Sequence, residues 1–262
     1  MKLFDSHCHL SDPGYAQDFD RVLRRMSDTG VAAAILVGVN RKDSEKAVRL
    51  AASHPGLYAS VGVHPHDAEN CSEETLHALK ALAGHPKVRA WGETGLDFNR
   101  MFSPRDIQEL WFMRQIETAD ELDLPLIFHE RDSGGRFLEI VKVTHAKGRR
   151  GVVHCFSGTR KEMEAYLDLG YHIGITGILT IQQRGADLRA LAPRIPLERL
   201  LIETDAPYLT PAPQKNKTRR NEPAFVASTL LKLAELRGED PESLAEATWN
   251  NACRLFGIHP EA

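Results

Sequence analysis

Short apolar runs alternate with amphipathic stretches along the whole chain. The runs contain few polar residues, which is typical of parallel strands that are buried on both faces. Most of the stretches between them have the periodicity of helices, so the pattern predicts repeated βαβ units and a parallel sheet. The predicted strands are Leu3–Phe4, Ala32–Val39, Leu57–Val63, Val88–Trp91, Leu126–Phe128, Gly151–Val153, His172–Ile175 and Leu200–Ile202.

Capping residues mark the starts of several predicted helices. Ser103 is expected to be the N-cap of one helix, with Pro104 at its first position and Asp106 at its third. Asp240 and Pro241 begin the last helix in the same way. The clearest amphipathic segments are Phe19–Met26, Ser44–Ala52 and Ile107–Leu122.

The number of strands decides between two α/β architectures. Eight strands with intervening helices in 262 residues favour a TIM (β/α)8 barrel, one domain over residues 1–262, and not an open doubly wound sheet. No G-x-G-x-x-G motif follows the first strand and no Walker motif occurs, which weakens the nucleotide-binding open-sheet alternative. Leu209–Glu222 is rich in proline and basic residues and is expected to be a long loop after the eighth strand.

Composition excludes some classes of function. The net charge of −3, from 33 basic and 36 acidic residues, argues against nucleic-acid binding by charge alone. It leaves open an enzyme that holds phosphate through bound metal ions. No stretch approaches the ~18 apolar residues of a membrane span, so we expect a cytoplasmic protein without membrane contact. We also expect it to be a monomer. Scattered cysteines indicate reduced thiols used in packing; they are Cys8, Cys71, Cys155 and Cys253.

Imidazoles and carboxylates follow the predicted strands at one end. His7 and His9 are two residues apart and therefore share a face, which Asp5 also shares; alone, such a pair is as often two surface histidines. However, five of the 12 histidines stand at strand ends, and active sites of barrels are built at the carboxyl ends of strands. The candidate residues are His7, His9, His64, Glu93, His129, His154 and Asp205.

The donor types narrow the choice of metal. Imidazoles with carboxylates suit Mg²⁺ or divalent first-row ions, whereas thiolate-bound structural zinc is not indicated. The donors exceed what one tetrahedral ion needs, so we expect two ions with Glu93, midway around the ring, as the bridging carboxylate. Two ions ~3.5–4 Å apart can bind the attacking and leaving oxygens of a phosphoryl displacement.

Longer motifs surround these residues in order along the chain. They are DSHCHL at Asp5–Leu10, GVHPH at Gly62–His66, GETGLDF at Gly92–Phe98, HERD at His129–Asp132, HCFSG at His154–Gly158, ETDAPYL at Glu203–Leu209 and RRNEP at Arg219–Pro223. Together they resemble the TatD family of metal-dependent hydrolases, within the amidohydrolase-like metal-dependent barrels.

The resemblance implies a TIM barrel with two divalent ions, usually Mg²⁺, with Mn²⁺ or Zn²⁺ as alternatives. It implies deoxyribonuclease activity, often 3′→5′ exonucleolytic, on single-stranded DNA or DNA 3′ ends, with RNA left open. It also implies the metal ligands: one ion on His7, His9, Glu93 and Asp205, and a second ion on Glu93, His129 and His154.

The catalytic roles are expected to fall to Asp205, Glu93 and His64. Asp205 beside a metal ion can accept the proton of the attacking water; the competing interpretation is a carboxylate that caps a following helix. His64 is expected to contact the substrate or the scissile phosphate, with a structural histidine as the alternative.

Substrate contacts are expected from His66, Arg131 and Tyr208 in addition to His64, with a loop histidine as the alternative for His66. The Arg131 guanidinium can bind phosphate through two hydrogen bonds, unless it pairs with Glu130 or Asp132. Tyr208, like Phe98 and Phe102, can stack on exposed bases or belong to the core. The basic residues of the predicted loop are expected either to contact a DNA backbone or to form a solvated run of charges. They are Lys215, Lys217, Arg219 and Arg220. The histidines expected to be structural are His54, His77, His85, His145, His172 and His259.

Two other functions fit the same sequence. The barrel could hydrolyse a small amide, lactone or phosphoester in place of nucleic acid. It could also be a non-catalytic scaffold that binds metal or a partner.

Overall fold

The computed structural model describes residues 1–144, 146 and 148–259. Within them, eight parallel strands form one sheet in which the spatial order follows the chain order, and helices occupy the connections. This confirms the predicted TIM (β/α)8 barrel. His145, which was expected to be structural, lies outside the described residues. None of the described helices combines the length and the apolar character that crossing a membrane requires.

The strands agree with the apolar runs in number and order but not always in length. The last three have the predicted bounds, whereas β1, β4 and β5 continue into the polar motifs that follow each run. β2 and β3 end earlier than predicted. The strands are β1 Leu3–Cys8, β2 Val31–Leu36, β3 Leu57–Val61, β4 Val88–Asp97, β5 Leu126–Arg131, β6 Gly151–Val153, β7 His172–Ile175 and β8 Leu200–Ile202.

The helices confirm the amphipathic segments, and one of the two predicted caps is wrong. Asp240 accepts from the backbone N–H of Ser243 and Pro241 is the first helical residue, as predicted. Ser103 does not cap α4, since that helix begins at Arg105 after Pro104. The α-helices are α1 Phe19–Asp28, α2 Arg41–Ser53, α3 Glu73–Ala83, α4 Arg105–Glu121, α5 Arg136–Val143, α6 Arg160–Asp168, α7 Ala186–Leu191, α8 Val226–Arg237 and α9 Pro241–Phe256.

The Ser103 hydroxyl has other partners in the structure. It donates to His66 O and accepts from the backbone N–H of Glu69, both at 3.0 Å. These long-range hydrogen bonds satisfy the fully buried side chain, because a buried hydroxyl that lacks partners is costly. A capping pattern in the sequence involves only neighbouring residues, so it cannot reveal hydrogen-bond partners elsewhere in the fold.

The described residues divide into two compact units. The first contains Met1–Leu36, Cys155–Ser157 and residues 173–259, and the second contains Val37–His154 and Gly158–His172. In the first, β1 pairs with β2 and β7 with β8, and Phe4 of β1 packs on Trp249 and Phe256 of α9 with ring centroids 5.6 and 6.0 Å apart.

In the second unit, β3, β4, β5 and β6 pair in succession. Phe128 of β5 packs edge-on against Phe137 of α5 at 5.3 Å, and Phe112 of α4 stacks on Phe137 at 5.1 Å. Buried aromatic pairs of this kind contribute large apolar areas to a core. This packing fixes the strands from which several of the candidate residues extend.

The four cysteines are free thiols, as the sequence predicts. Cys8 is fully buried and its thiol lies 3.4 Å from Ile35 O. Burial raises the pKa of the Cys8 thiol well above its ordinary value, so this thiol stays protonated and serves packing, because the thiolate is the reactive form.

Candidate metal centre

The first cluster consists of His7, His9 and Asp205, all in the first unit. The Nε2 atoms of His7 and His9 are 3.3 Å apart. Asp205 Oδ1 lies 3.6 Å from His7 Nε2 and 3.3 Å from His9 Nε2. Donor atoms around one divalent ion stand about 3–3.5 Å apart when each is 2.0–2.2 Å from the ion. The three side chains therefore fit a shared ion, and the structure places both histidines on one face as predicted.

Backbone hydrogen bonds bring Asp205 to the two histidines. The Asp205 N–H donates to His7 O at 2.9 Å, and the His9 N–H donates to Ala206 O at 2.7 Å. Asp205 has a positive φ of 59°, a conformation that aspartate tolerates better than most residues. The next helical turn after Asp205 begins only at Gln214, so the interpretation of Asp205 as a helix cap is not supported.

Two buried carboxyl groups beside the first cluster have structural partners. Asp5 accepts from the Thr204 N–H at 2.9 Å, and its other oxygen lies 2.6 Å from the Thr204 hydroxyl. Burial raises the pKa of Asp5 to about 8, against the lowering effect of these hydrogen bonds. Asp5 thus ties β1 to the chain after β8.

Glu203 is the second of these carboxyl groups, and the sequence reasoning gave it no role. It accepts from the Ser6 hydroxyl at 3.0 Å and from the Cys155 N–H at 2.5 Å. A Cβ added to Gly174 would meet its carboxylate at 2.6 Å, so glycine is needed at that position. The sequence feature that could have identified Glu203 is its position directly after a wholly apolar strand, since an acidic residue there needs buried partners.

The second cluster consists of Glu93, His129 and His154, all in the second unit. Glu93 extends from β4, His129 from β5, and His154 directly follows β6. Glu93 Oε1 lies 2.8 Å from both His129 Nδ1 and His154 Nε2. The Glu93 side chain is only 3% exposed. A buried carboxylate that meets two imidazole nitrogens at one oxygen fits a divalent ion bound by all three.

His64 joins the second cluster more closely than the sequence indicated. Its Nε2 lies 3.3 Å from Glu93 Oε1 and 3.2 Å from His129 Nδ1, and His64, Glu93 and His129 together could hold an ion. Burial lowers the pKa of His64 to about 4, although Glu93 opposes the shift. His64 is therefore neutral at neutral pH, which is the form that binds metal.

His66 and Asp97 lie behind the second cluster. Asp97 Oδ2 lies 2.7 Å from His66 Nε2 and 3.2 Å from His129 Nε2. Burial would raise the pKa of Asp97, but the hydrogen bonds from His129 and His66 outweigh it and hold that pKa far below its usual range. Asp97 is thus a buried carboxylate anion that the sequence reasoning did not single out. His66 is a loop histidine held by a carboxylate.

Arg131 ends β5, opposite Asp97 of β4. Neither of its predicted acidic neighbours pairs with it: Glu130 accepts from Ser133 at 2.6 Å, and Asp132 accepts from Asn99 at 2.7 Å. In the part of the chain that the structure describes, Arg131 forms no ion pair. Its half-buried guanidinium is therefore available to an anion.

The aromatic residues differ in their exposure. Phe98 packs beneath the Arg105 guanidinium, 4.6 Å from the ring centroid. Phe102 is 62% exposed and its ring lies 4.8 Å from His66. Tyr208 is 57% exposed and its ring lies 5.9 Å from His9. Phe102 and Tyr208 thus remain candidates for stacking on bases, whereas the Phe98 ring already packs against Arg105.

The basic loop contains both structural and exposed cations. Arg220 donates to both carboxylate oxygens of Asp18, at 2.7 and 2.8 Å, and lies 4.9 Å from the Tyr15 ring centroid. The structural interpretation therefore applies to Arg220. Lys215, Lys217 and Arg219 are exposed.

The histidines expected to be structural include two with local backbone partners. His54 Nδ1 lies 3.0 Å from Leu50 O, and His85 Nδ1 accepts from the Lys87 N–H at 3.1 Å. His172 begins β7 and therefore stands at the amino end of its strand. These positions support the structural interpretation.

The fold and the two clusters define a class: TIM barrels with histidines and carboxylates at the carboxyl ends of their strands. The sequence profile of the family described as TatD related DNase matches residues 4–257. The chain belongs to the TatD family.

Individual relatives cover almost the whole chain. A protein of Citrobacter rodentium named 3′-5′ ssDNA/RNA exonuclease TatD is 45% identical over 258 residues, with 98% of each chain covered. A Rahnella protein of the same name is 42% identical over 259 residues, also with 98% of each chain covered.

Solved structures of TatD proteins have the same fold. The crystal structure of YJJV, a TatD homologue from Escherichia coli, has a TM-score of 0.89 with 31% identity and covers 98% of both chains. A TatD family hydrolase of Entamoeba histolytica also has a TM-score of 0.89, with 27% identity and 99% of both chains covered.

Proposed function

We propose that this chain is a divalent-metal-dependent phosphodiesterase, a 3′→5′ exonuclease that trims single-stranded DNA and RNA. Its membership of the TatD family supports this proposal, as do relatives at up to 45% identity whose names give that activity. The observation that carries the metal dependence is the Glu93 carboxylate, which meets two imidazole nitrogens at 2.8 Å in a buried position.

Each cluster is proposed to hold one ion of a two-metal centre. The first ion is proposed to be bound by His7, His9 and Asp205. The second is proposed to be bound by Glu93, His129 and His154. The expectation that Glu93 bridges the two ions stays a prediction.

Bound divalent ions would make a water more acidic and neutralise charge on the phosphate. Asp205, the more exposed carboxylate, is proposed to accept the proton of the attacking water. His64 is proposed to donate a hydrogen bond to the phosphate, His66 to contact the substrate, and Arg131 to neutralise the phosphate. Tyr208 is proposed to stack on a base of the substrate strand.

Further properties belong to the proposal. Mg²⁺ is the proposed ion, with Mn²⁺ or Zn²⁺ as alternatives, because oxygen and imidazole ligands admit all three. The protein is proposed to act as a cytoplasmic monomer with residues 1–262 as one functional domain.

The proposal is tested by digesting 5′-labelled single-stranded DNA with purified protein and Mg²⁺ or Mn²⁺. We expect a ladder of shortened products, and a phosphorothioate at the 3′ end should block it. Glu93→Gln should lower the rate by ~100-fold or more, since metal catalysis contributes several kcal/mol. The control is Glu74→Gln, at a side chain that is 89% exposed, and it should act like wild type.

A rate that is the same in wild type and Glu93→Gln would contradict the proposal. The same preparations are tested on small amides, lactones and phosphoesters. Turnover of these without cleavage of DNA or RNA would favour the small-substrate alternative. Absence of turnover on every substrate, with normal metal binding, would favour a non-catalytic scaffold.

A further inference from the structure

Asp97 has a position that the proposed ligand set leaves unexplained. It is the last residue of β4 and is completely buried. Its backbone is clamped by the side chain of Gln108, which accepts from the Asp97 N–H at 2.9 Å and donates to Asp97 O at 3.1 Å. A buried carboxylate on a fixed backbone can orient its neighbours, because burial strengthens each hydrogen bond it accepts.

The two oxygens of Asp97 have separate sets of partners. Oδ1 accepts from the backbone N–H groups of Asn99 and Arg100, at 3.0 and 2.7 Å. Oδ2 faces the Nε2 atoms of His66 and His129, at 2.7 and 3.2 Å. Since a carboxylate anion only accepts hydrogen bonds, both imidazoles must carry a proton on Nε2.

That requirement determines which nitrogen of His129 can bind metal. A neutral imidazole has one protonated nitrogen and one nitrogen with a free lone pair. With the proton of His129 fixed on Nε2, the lone pair is on Nδ1. Nδ1 is the atom that lies 2.8 Å from Glu93 Oε1 and therefore faces the proposed ion.

We propose that Asp97 is a positioning residue that fixes the tautomer of His129 and so prepares Nδ1 to bind metal. This inference rests on the proposed function in taking His129 as a metal ligand. Histidine ligands commonly donate their second N–H to a carboxylate, and loss of that partner lowers metal affinity by ~10–100-fold. In this chain the same carboxylate oxygen also holds His66, so Asp97 links a ligand to a proposed substrate-binding side chain.

Asp97→Asn separates the orienting role from loop anchoring. The amide oxygen can keep the hydrogen bonds from Asn99 and Arg100, but the amide NH₂ then faces two imidazole N–H groups. The amide NH₂ and the imidazole N–H groups would then all be hydrogen-bond donors, so His129 must move its proton to Nδ1 or rotate. Either change removes the free lone pair that faces Glu93.

The matched control is Asp132→Asn. The Asp132 carboxylate accepts from the Asn99 side chain at 2.7 Å, so it belongs to the same loop region. Its φ of 55° is one that asparagine adopts readily. This variant removes one charge nearby and leaves the Asp97 contacts intact.

The main measurement is calorimetric titration of the full chain with Mn²⁺. We expect Asp97→Asn to weaken the affinity of one site by ~10–100-fold and Asp132→Asn to leave it unchanged. His66→Asn removes the other imidazole on Asp97 and should change Mn²⁺ affinity much less. In a His129→Ala background, Asp97→Asn should have little further effect, since it acts through His129.

A second measurement is proton NMR of the metal-free protein. Wild type should show a downfield imidazole proton bonded to His129 Nε2, and this signal should be lost in Asp97→Asn. If the folded variant keeps both the signal and wild-type Mn²⁺ affinity, Asp97 is a loop anchor only and the inference is wrong. If wild type binds no Mn²⁺, the proposed metal site fails, and the NMR signal alone then decides whether Asp97 fixes the tautomer.

Discussion

Backbone hydrogen bonds assemble the first cluster, whereas buried side chains assemble the second. In the first, the N–H groups of His9 and Asp205 bond across to Ala206 and His7, and His9 and Asp205 are 14% and 15% exposed. In the second, Glu93 and His154 are 3% and 5% exposed, and His129 is 16% exposed. A ligand whose orientation is already fixed loses less entropy on binding. The second cluster should therefore bind its ion more tightly, and the first should contain the group that exchanges protons with solvent.

Loss of the Asp205 carboxylate should have the largest effect on the rate. Asp205→Asn removes the proposed general base, so kcat should fall by ~10²–10⁴-fold, the usual contribution of a positioned base. The second cluster is untouched and should still bind one Mn²⁺ with wild-type affinity. Asp28→Asn, an exposed carboxylate in the same unit, is the control. Rate assays combined with calorimetry would refute this assignment if the kcat of Asp205→Asn stayed near wild type.

The second largest expected effect is a difference between the two clusters in metal-induced stabilisation. An ion that binds only the folded state adds about 2.7 kcal/mol of stability at 100 times its Kd. Removing both histidines of the second cluster, His129→Ala with His154→Ala, should abolish most of the rise in Tm at low Mn²⁺ concentration. Removing those of the first, His7→Ala with His9→Ala, should abolish only the additional rise at higher concentration.

The reverse order of these two responses in thermal unfolding would show that the first cluster is the tighter site. Equal responses would show that burial of the second cluster has no effect on affinity. Each double variant is compared with wild type in excess chelator, so that changes in the Tm of the metal-free protein are not mistaken for loss of an ion.

Asp5 should affect stability without affecting either cluster's chemistry. Its pKa rises from 3.8 to about 8 on folding, so the folded state binds the extra proton between these values. The contribution of Asp5 to stability is therefore greatest below pH ~4 and falls as the pH rises towards 8, by up to ~1.4 kcal/mol per pH unit. Asn fits the same partners, because its oxygen accepts from the Thr204 N–H and its NH₂ donates to the Thr204 hydroxyl.

Urea unfolding of metal-free protein at pH 5, 6.5 and 8 measures the effect of Asp5. Asp5→Asn should have a smaller loss of stability across this range than wild type, with kcat close to wild type in Mn²⁺. Parallel curves for the two proteins would mean that Asp5 is ionised in the folded state throughout.

The sequence predicted the barrel and the candidate ligands for a shared reason. Buried parallel strands require apolar runs, and metal ligands require histidines and carboxylates at strand ends, so both leave local patterns. His129 could be selected because it directly follows such a run, and Glu93 because it follows one after a single glycine. The spacing of His7 and His9 similarly predicted a shared face, which their 3.3 Å Nε2 separation supports.

Roles that depend on distant partners could not be predicted in the same way. Asp97 acts on His66 and His129, which are 31 and 32 residues away, and no local pattern indicates those contacts. Ser103 satisfied a capping pattern, but buried hydrogen bonds elsewhere determined its position. His64 was expected to face substrate, and only its distance from Glu93 indicates that it can also serve as a ligand.

The first cluster joins residues that are far apart in the chain. The contact between Asp5 and Thr204 that supports it spans 199 residues. Because chains emerge from the ribosome amino end first, Asp205 can join His7 and His9 only after the long segment between them has been synthesised. A nascent chain that has not yet reached Asp205 therefore lacks a complete first cluster. The wide separation of these ligands therefore delays assembly of the proposed first metal site until the chain has been synthesised beyond Asp205.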